Sequence, residues 1–499
     1  MITMNAPVND GAPPRPTFKD MINSVVDAGA CSECGACVVV CPHGIIEMIG
    51  RKPGKRVGSL GDHDHCGVST GIGCDACAAV CPRLWPREPH LREATFGEAE
   101  AGGDRGFEGI FGVYRHIFVA RARDPQALAR GQDGGVVTAL LAWARETDAI
   151  DGAIVAAVGE GDAPCFPTPK VVTTPEQIRA SAGSWYTYSP NPLALKPLKK
   201  AKVERAAFVG VPCQVTPLRK MERIDTTRLL RAGKSPTVHG RQRDCMRGPS
   251  ERVAISIGLF CSEVFVPELM TEHVAQTMGI PLDRITKLNI KGEVLIHTRD
   301  GAVATIPLAQ AAHDYQRPEC RHCGDFAAEL ADISCGGVGT DRATVVVLRT
   351  ERGVDLWREF EASGRVEVWP IQEHKKAWNI LQRLARKQRE QIAPPTAGAY
   401  GTAPAPVQYC AAEEAVRARQ ALILAGCSDA EIDERLHALR GVREGAPAAA
   451  ALGPAHPIPG DPGEPAPDEK RKLPPPPAPH EGGASPGPAA GAGFARWTK

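Results

Sequence analysis

Residues 131–158 read GQDGGVVTALLAWARETDAIDGAIVAAV. A Gly-rich turn opens an apolar stretch with helical spacing, and a short Val/Ile run follows. Working outward, DGAIVAAV (151–158), AAFVGVPC (206–213), VAISIGLFC (253–261) and ATVVVLRT (343–350) are compact apolar runs that read as buried strands. VVTALLAWARE, PEQIRASAG, QVTPLRKME and PELMTEHVAQTMG lie between them and read as helices. Strand–helix alternation predicts an α/β domain over about 109–395 with a mostly parallel sheet. The stretch ITKLNIKGEVLIHTRDGAVATIPL (285–308) breaks the rhythm, and its KG and DG turns predict an antiparallel insert.

The chain has 499 residues, enough for about two to four domains. Lys+Arg is 59 against Asp+Glu 58, so nothing suggests a nucleic-acid binder or a polybasic membrane surface. No apolar run reaches the ~18 residues that cross a bilayer. The opening MITMNAPVNDGAPPRP lacks a basic segment followed by an apolar one, so a cytoplasmic protein is expected. Residues 1–17 are polar and Pro-rich, and 91–108 read as a Gly/Glu-rich linker. Residues 411–443 read as a helical extension, with Ser428 as an N-cap. The Ala/Pro/Gly-rich tail, 444–499, cannot bury enough apolar surface to order itself.

Seventeen cysteines are many for a chain of this kind, and in a reducing compartment thiolates are metal ligands first. Cys31, Cys34, Cys37, Cys41 and Pro42 give C-x2-C-x2-C-x3-C-P, the bacterial ferredoxin run. Three cysteines at this spacing wrap one cube, and the fourth points to a neighbouring one. Cys66, Cys74, Cys77, Cys81 and Pro82 repeat the motif with the first cysteine displaced. The expected ligation is crossed: Cys31, Cys34, Cys37 and Cys81 on one cluster, Cys66, Cys74, Cys77 and Cys41 on the other. The segment 18–90 is therefore expected to be a small α+β two-cluster ferredoxin-like domain. C-x2-C pairs also suit tetrahedral zinc, but the doubled C-P ending is not a zinc pattern. His43, His63 and His65 read as loop residues.

Cys213 and Cys261 each end an apolar run, and functional groups gather beyond the carboxyl ends of parallel strands. Cys320 and Cys323 add a C-x2-C loop in PECRHCGDF, which makes four thiolates, enough for a third 4Fe–4S cube. Cys335 is the main competitor, and Cys165, Cys245, Cys410 and Cys427 read as free thiols. Gly131, Gln132, Asp133, Gly134 and Gly135 precede a helix, whose free N–H groups suit a pyrophosphate. They form neither G-x-G-x-x-G nor a Walker A loop. SAGSWYTYSP (181–190) mixes aromatics with hydroxyls, as a flavin flank or a packed surface loop would.

Together these segments resemble the β subunit of coenzyme F-420 (F420) reducing hydrogenase and its relatives. Those relatives include F420H2 dehydrogenase input subunits, the amino-terminal half of F420-dependent sulfite reductase, and ferredoxin-dependent chlorophyll-pathway reductases. The resemblance rests on GQDGGVVTALL, IDGAIV, SAGSWYTYSPN, AAFVGVPCQ, IGLFCSE, RPECRHCGDFAAELADIS and GGVGT…ATVVVLRT. It implies noncovalent FAD, a 4Fe–4S cluster in the α/β domain, and two-electron exchange with a deazaflavin. Carried over, Cys213, Cys261, Cys320 and Cys323 match the domain-cluster ligands. Gly131, Asp133, Gly134, Gly135 and Thr138 match the flavin loop, and Ser184 and Tyr186 the second flavin segment. Trp185 stands where a basic residue is usual, and Cys335 where an aliphatic one is.

The leading expectation is an iron–sulfur flavoprotein oxidoreductase that exchanges hydride with F420 through FAD and single electrons with a ferredoxin or partner subunits. No side chain need act as acid or base. The alternatives are a ferredoxin-dependent reductase of a tetrapyrrole-like substrate and a non-catalytic electron-relay subunit.

Overall fold

The computed structural model describes residues 18–56, 76–84, 89–97, 107–224 and 244–390. The N-terminal segment, the extension at 411–443, the tail and Cys66, Cys74, Cys410 and Cys427 lie outside them. The ferredoxin-like module holds an antiparallel pair, β1 (Ile46–Ile49) and β2 (Lys52–Lys55), and the short helices Ala36–Val40 and Ala76–Ala79. The α/β domain begins with β3 (His116–Ala122), β4 (Gly152–Ala157), β5 (Thr168–Val172), β6 (Ala206–Gly210) and β7 (Val253–Leu259). The chain then builds a separate sheet from β8 (Ile285–Ile290), β9 (Glu293–Thr298) and β10 (Val303–Pro307). It returns with β11 (Ile333–Gly336), β12 (Thr344–Leu348) and β13 (Val366–Pro370).

The large sheet has the order β13-β3-β12-β11-β7-β6-β4-β5. The expected parallel run is its centre, where β11, β7, β6 and β4 pair parallel. Antiparallel pairs add β5 on one side and β12, β3 and β13 on the other. Five strands thus share one direction and three oppose it. Successive side chains on a strand face opposite ways, so this sheet has two apolar faces. Ala207, Val209, Val346 and Leu348 lie in the cluster under the helices Val136–Glu146 and Glu351–Ala362. On the other face, Val345 and Val347 are covered by the helix Lys375–Glu390. Ala206 and Phe208, on that face, meet the helix Pro212–Glu222 and the ferredoxin-like module together.

That last cluster joins the two modules. Cys34, Ala36, Val39, Val40, Ala76 and Val80 share it with Leu195, Phe208, Leu218 and Met221. A fully buried Val, Leu or Phe contributes about 1.5–3 kcal/mol, so the modules are packed on each other rather than tethered.

Two expectations are corrected. The linker at 91–108 is partly helical, over Pro89–Phe96 and Glu108–Phe111, with Leu91 and Phe111 buried and Arg92 paired to Glu108 at 3.0 Å. Cys213 does not end a strand. β6 stops at Gly210 and a helix starts at Pro212, where the ring tolerates the first helical turn, so Cys213 sits in that turn. The antiparallel insert forms as expected.

Candidate functional site

The first cysteine cluster is built by a loop that turns into a helix. Gly35 caps the helix Ala36–Val40 at φ +77, and a Cβ there would lie 2.4 Å from Leu193 Cδ2. Only glycine admits both the left-handed turn and the close approach of the α/β domain. Cys31, Cys34, Cys37 and Cys81 line one pocket with Ser32, Pro53 and Pro82. The Cys81 loop is held by Lys220 of the helix Pro212–Glu222, which donates to the carbonyls of Cys81, at 3.0 Å, and Leu84. Burial pushes the Cys31 thiol up to about 11, with Cys81 adding to it, and burial also raises Cys34, Cys37 and Cys81. Cys41 and Cys77 pack in the same apolar cluster, beside Cys37.

The second cysteine cluster belongs to the α/β domain. Cys213, Cys261, Cys320 and Cys323 come from three separate chain segments and line one pocket. Cys261 follows the end of β7, and Cys320 lies in the turn Pro318–His322 with Cys323 just past it. The Val264 N–H points at Cys320 Sγ from 3.4 Å, and the Tyr188 hydroxyl lies 3.6 Å from Cys213 Sγ. Burial raises Cys213 and Cys261 and pushes Cys320 up to about 12, with neighbouring thiols adding to each. Ser32 lines both cavities, so they share a wall.

These donor sets fit an iron–sulfur cube. Thiols held neutral by desolvation and by one another, as Cys31, Cys34 and Cys37 are in one set and Cys213, Cys261 and Cys320 in the other, become thiolates only when a cationic core joins them. A lone zinc would need all four sulfurs about 2.3 Å from one point. Among the described residues, no three His, Cys, Asp or Glu are close enough to hold a single ion.

The glycine loop lies across the sheet. Asp124 caps the helix Pro125–Arg130, and the Gly131 N–H closes that helix on the Ala127 carbonyl. Gly134 donates to Thr344 Oγ1 at 3.1 Å. Gly135, at φ +64, turns the chain into the helix Val136–Glu146, with Thr138 half-buried in its first turn. Ser184 bridges Leu288 of β8, which brings the segment 181–190 against the insert. Tyr186 is at φ +55; burial, then Asp133 and Cys261, keep its phenol protonated. It therefore stands within electrostatic reach of both the glycine loop and the second cysteine cluster.

Residues 117–196 match the family model "Coenzyme F420 hydrogenase/dehydrogenase, beta subunit N-term", and 203–374 match the companion model of the same family, which describes the carboxyl terminus of that beta subunit. Residues 30–84 match "4Fe-4S dicluster domain". The coenzyme F420 hydrogenase subunit beta of Methanosarcina barkeri is 35% identical over 287 residues, 56% of this chain and 90% of that protein. The chain belongs to the coenzyme F420 hydrogenase/dehydrogenase beta-subunit family. Its members are oxidoreductase subunits, and this one carries a 4Fe–4S domain at its amino-terminal side.

The coenzyme F420-dependent sulfite reductase of Methanocaldococcus jannaschii is 31% identical over 70% of this chain and 49% of its own length. A subunit of the F(420)H(2) dehydrogenase of Methanosarcina mazei is 28% identical over 74% of this chain and 92% of its own. A chain of the F420-reducing NiFe hydrogenase complex of Methanosarcina barkeri superposes with a TM-score of 0.50 at 33% identity, over 56% of this chain and 90% of that one.

Trp185 packs with the insert's apolar cluster, which includes Phe265 and Leu288. Cys335 is buried in the main sheet core, so it does not compete for the second cysteine cluster. None of the thirteen described cysteines is in a disulfide.

Sequence reading missed one group. Along β8 and β9, Leu288, Val294 and Ile296 face the insert's core, so Lys287, Asn289 and His297 face away from it. Lys291 follows β8 and reaches Asp133 Oδ1 at 2.5 Å. Lys287 points at the Ala129 carbonyl, 3.5 Å away. Burial raises the Asp133 carboxyl against the pull of Lys291, and burial lowers Lys287. Asp133 Oδ2, Asn289 Oδ1 and His297 Nε2 are buried with no hydrogen-bond partner among the described residues. Asp133 Oδ2 packs against Gly337, whereas Asn289 Oδ1 and His297 Nε2, on the face of the insert turned from its core, suit a polar cofactor or ligand. The signal was present as polar residues at every second position of TKLNIK, which reads equally as a solvated edge.

Proposed function

We propose that this chain moves electrons between coenzyme F420, which exchanges them as hydride, and one-electron iron–sulfur carriers or a partner subunit. In this reading the ferredoxin-like module spans 18–90 and the flavin and cluster domain 109–395. Cys213, Cys261, Cys320 and Cys323 would hold the domain cube. Cys31, Cys34, Cys37 and Cys81 would hold the next, and Cys41, Cys66, Cys74 and Cys77 the third. FAD, when bound, supplies the conversion between a hydride pair and single electrons. Gly131, Asp133, Gly134, Gly135 and Thr138 would bind it with Ser184 and Tyr186, and Lys287 and Lys291 would face its anionic part.

One observation supports the order of this path. Tyr186 lies within electrostatic reach of Asp133 in the glycine loop and of Cys261 in the second cysteine cluster, and that cluster shares a wall with the first through Ser32. The chain's own share is positioning. The helix N-terminus at Val136 offers free N–H groups to phosphate. Tyr186, half-buried and with its phenol kept neutral, would stand between the flavin and the thiols. Among the described residues, no helix is long and apolar enough to cross a membrane.

The test is anaerobic purification, metal, sulfide and flavin analysis, and then addition of reduced F420. About twelve irons, twelve sulfides and one FAD per chain are expected, with prompt bleaching of the flavin band. Reduction by reduced ferredoxin but not by reduced F420 would move the assignment to a ferredoxin-dependent reductase. Clusters without flavin would leave an electron relay.

A further inference from the structure

Two ion pairs cross the boundary between the modules, and one of them lies between the two cysteine clusters. From the ferredoxin-like module come Glu33, between Cys31 and Cys34, and Lys52 of β2. From the α/β domain come Arg317 and Glu319, the latter beside Cys320. Arg317 Nη2 donates to Glu33 Oε2 at 2.7 Å. Lys52 Nζ reaches Glu319 Oε1 at 2.5 Å and Glu33 Oε1 at 2.9 Å. Lys52 and Arg317 are thus each paired across the boundary, while Arg51 pairs with Glu33 at 2.7 Å and Arg317 with Glu319 at 3.6 Å inside their own modules. Arg317 is 2% exposed and Glu33 6%. Glu33 is held at φ +64, uncommon for a residue with a Cβ.

Arg317 touches both clusters' surroundings. Its Nη2 lies 3.4 Å from the Ser32 carbonyl, and Ser32 lines both cavities. Its guanidinium carbon stacks 4.2 Å over the Tyr188 ring, whose hydroxyl is 3.6 Å from Cys213 Sγ. Its carbonyl accepts from the Cys320 N–H at 2.9 Å. The guanidinium stays charged at any working pH and is shielded from solvent, so its field is weakly screened.

We propose that Arg317 is a positioning residue that holds the two cysteine clusters at a fixed separation and draws the reduction potentials of both bound cubes upward together. Adding an electron to a cube adds negative charge, and a buried cation beside it favours that state. Arg317 acts directly on the cube at Cys213 and Cys320, and on the cube at Cys31 and Cys34 through Ser32 and Glu33. The crossed pairs also set the docking register. Shifting one module by a residue would break both crossed pairs and leave the buried Arg317 with only the longer contact to Glu319, at 3.6 Å, a loss that favours one arrangement. The ferredoxin-like module is in this view a fixed segment of one relay and not a swinging carrier. The inference rests on the proposed clusters being present.

The test is a redox titration of the full anaerobic chain, followed by electron paramagnetic resonance, on wild type, Arg317→Met, Arg317→Lys and Glu33→Gln. Acid-labile sulfide is measured on each. In Arg317→Met, two of the three cluster signals should shift to more negative potential, the domain cluster by the larger amount, with the third unmoved. Arg317→Lys should restore most of the shift. Glu33→Gln removes a negative charge and should shift the same two signals the opposite way. Unmoved potentials in samples with full sulfide content overturn the proposal. If Arg317→Met fails to fold, the sign of the Glu33→Gln shift decides. Wild type without sulfide or signals would instead refute the underlying cluster assignment.

Discussion

Replacing Gly35 with alanine probes the point where the first cysteine cluster meets the α/β domain. Gly35 sits at φ +77, and an added Cβ would lie 2.4 Å from Leu193 Cδ2 and 2.6 Å from its Cγ. The left-handed backbone costs an L-residue about 1–2 kcal/mol. Forcing a methyl into a filled contact costs about 1–3 kcal/mol more, so Gly35→Ala should lose about 2–5 kcal/mol. Leu193→Ala, at a half-buried position, should cost about 1–3 kcal/mol. In the double variant the clash disappears while the backbone penalty stays, which gives a coupling of about 1–3 kcal/mol. Urea unfolding of the anaerobic protein, followed by cluster absorbance and by tryptophan fluorescence, reads these differences if the two transitions coincide. Costs that add to within about 0.5 kcal/mol would show that Leu193 has nothing to do with the glycine requirement.

Cys320→Ser should remove about a third of the iron and sulfide, while Cys335→Ser should leave both at the wild-type level by elemental analysis. Lys291→Met strips the cation from Asp133 and should weaken FAD retention by about ten- to a hundredfold in a fluorimetric titration, from the ~1.5–3 kcal/mol of a charged hydrogen bond. An unchanged FAD affinity would remove Lys291 from the flavin groove. At Asp332, burial opposes ionisation, but Arg219 and Arg352, at 2.9 and 2.6 Å, outweigh it and hold the carboxyl well below the usual range. A depressed folded value gives stability that is complete above the unfolded value near ~3.9 and is lost only as pH falls through the folded one. Asp332→Asn should therefore cost about 3–5 kcal/mol equally at pH 7 and pH 5 in thermal melts. A deficit that shrank by pH 5 would contradict the assigned ionisation.

Some of this was readable before any coordinates. The helix at 136–146 followed from its apolar spacing behind a glycine turn, and the buried strands β6, β7 and β12 from short Val/Ile runs. The turn signals KG and DG located the antiparallel insert. Other features escaped for definable reasons. A run such as ATVVVLRT is equally apolar whether its neighbours run with it or against it, so the antiparallel placement of β12 was not legible. The helical turns inside 91–108 were hidden by Gly and Glu content, because Leu91 and Phe96 acquire a reason to order only once the core covers them. Lys287 and Asn289 looked like ordinary exposed strand residues until the glycine loop was found opposite them.

Cysteine spacing is a local property, and it sufficed for the chemistry. Side chains at C-x2-C-x2-C-x3-C-P lie close along the chain, so the expectation that they ligate a cluster needs no long-range information. The company those ligands keep is different. Cys81 closes the cavity begun by Cys31, and Cys213 and Cys261 meet Cys320 and Cys323, only because the sheet and its covering helices bring distant segments together. Arg317 and Glu33 lie 284 residues apart along the chain. No spacing rule connects them. Their contact follows from the apolar packing of one module on the other, and the burial of both charges then favours the arrangement that pairs them.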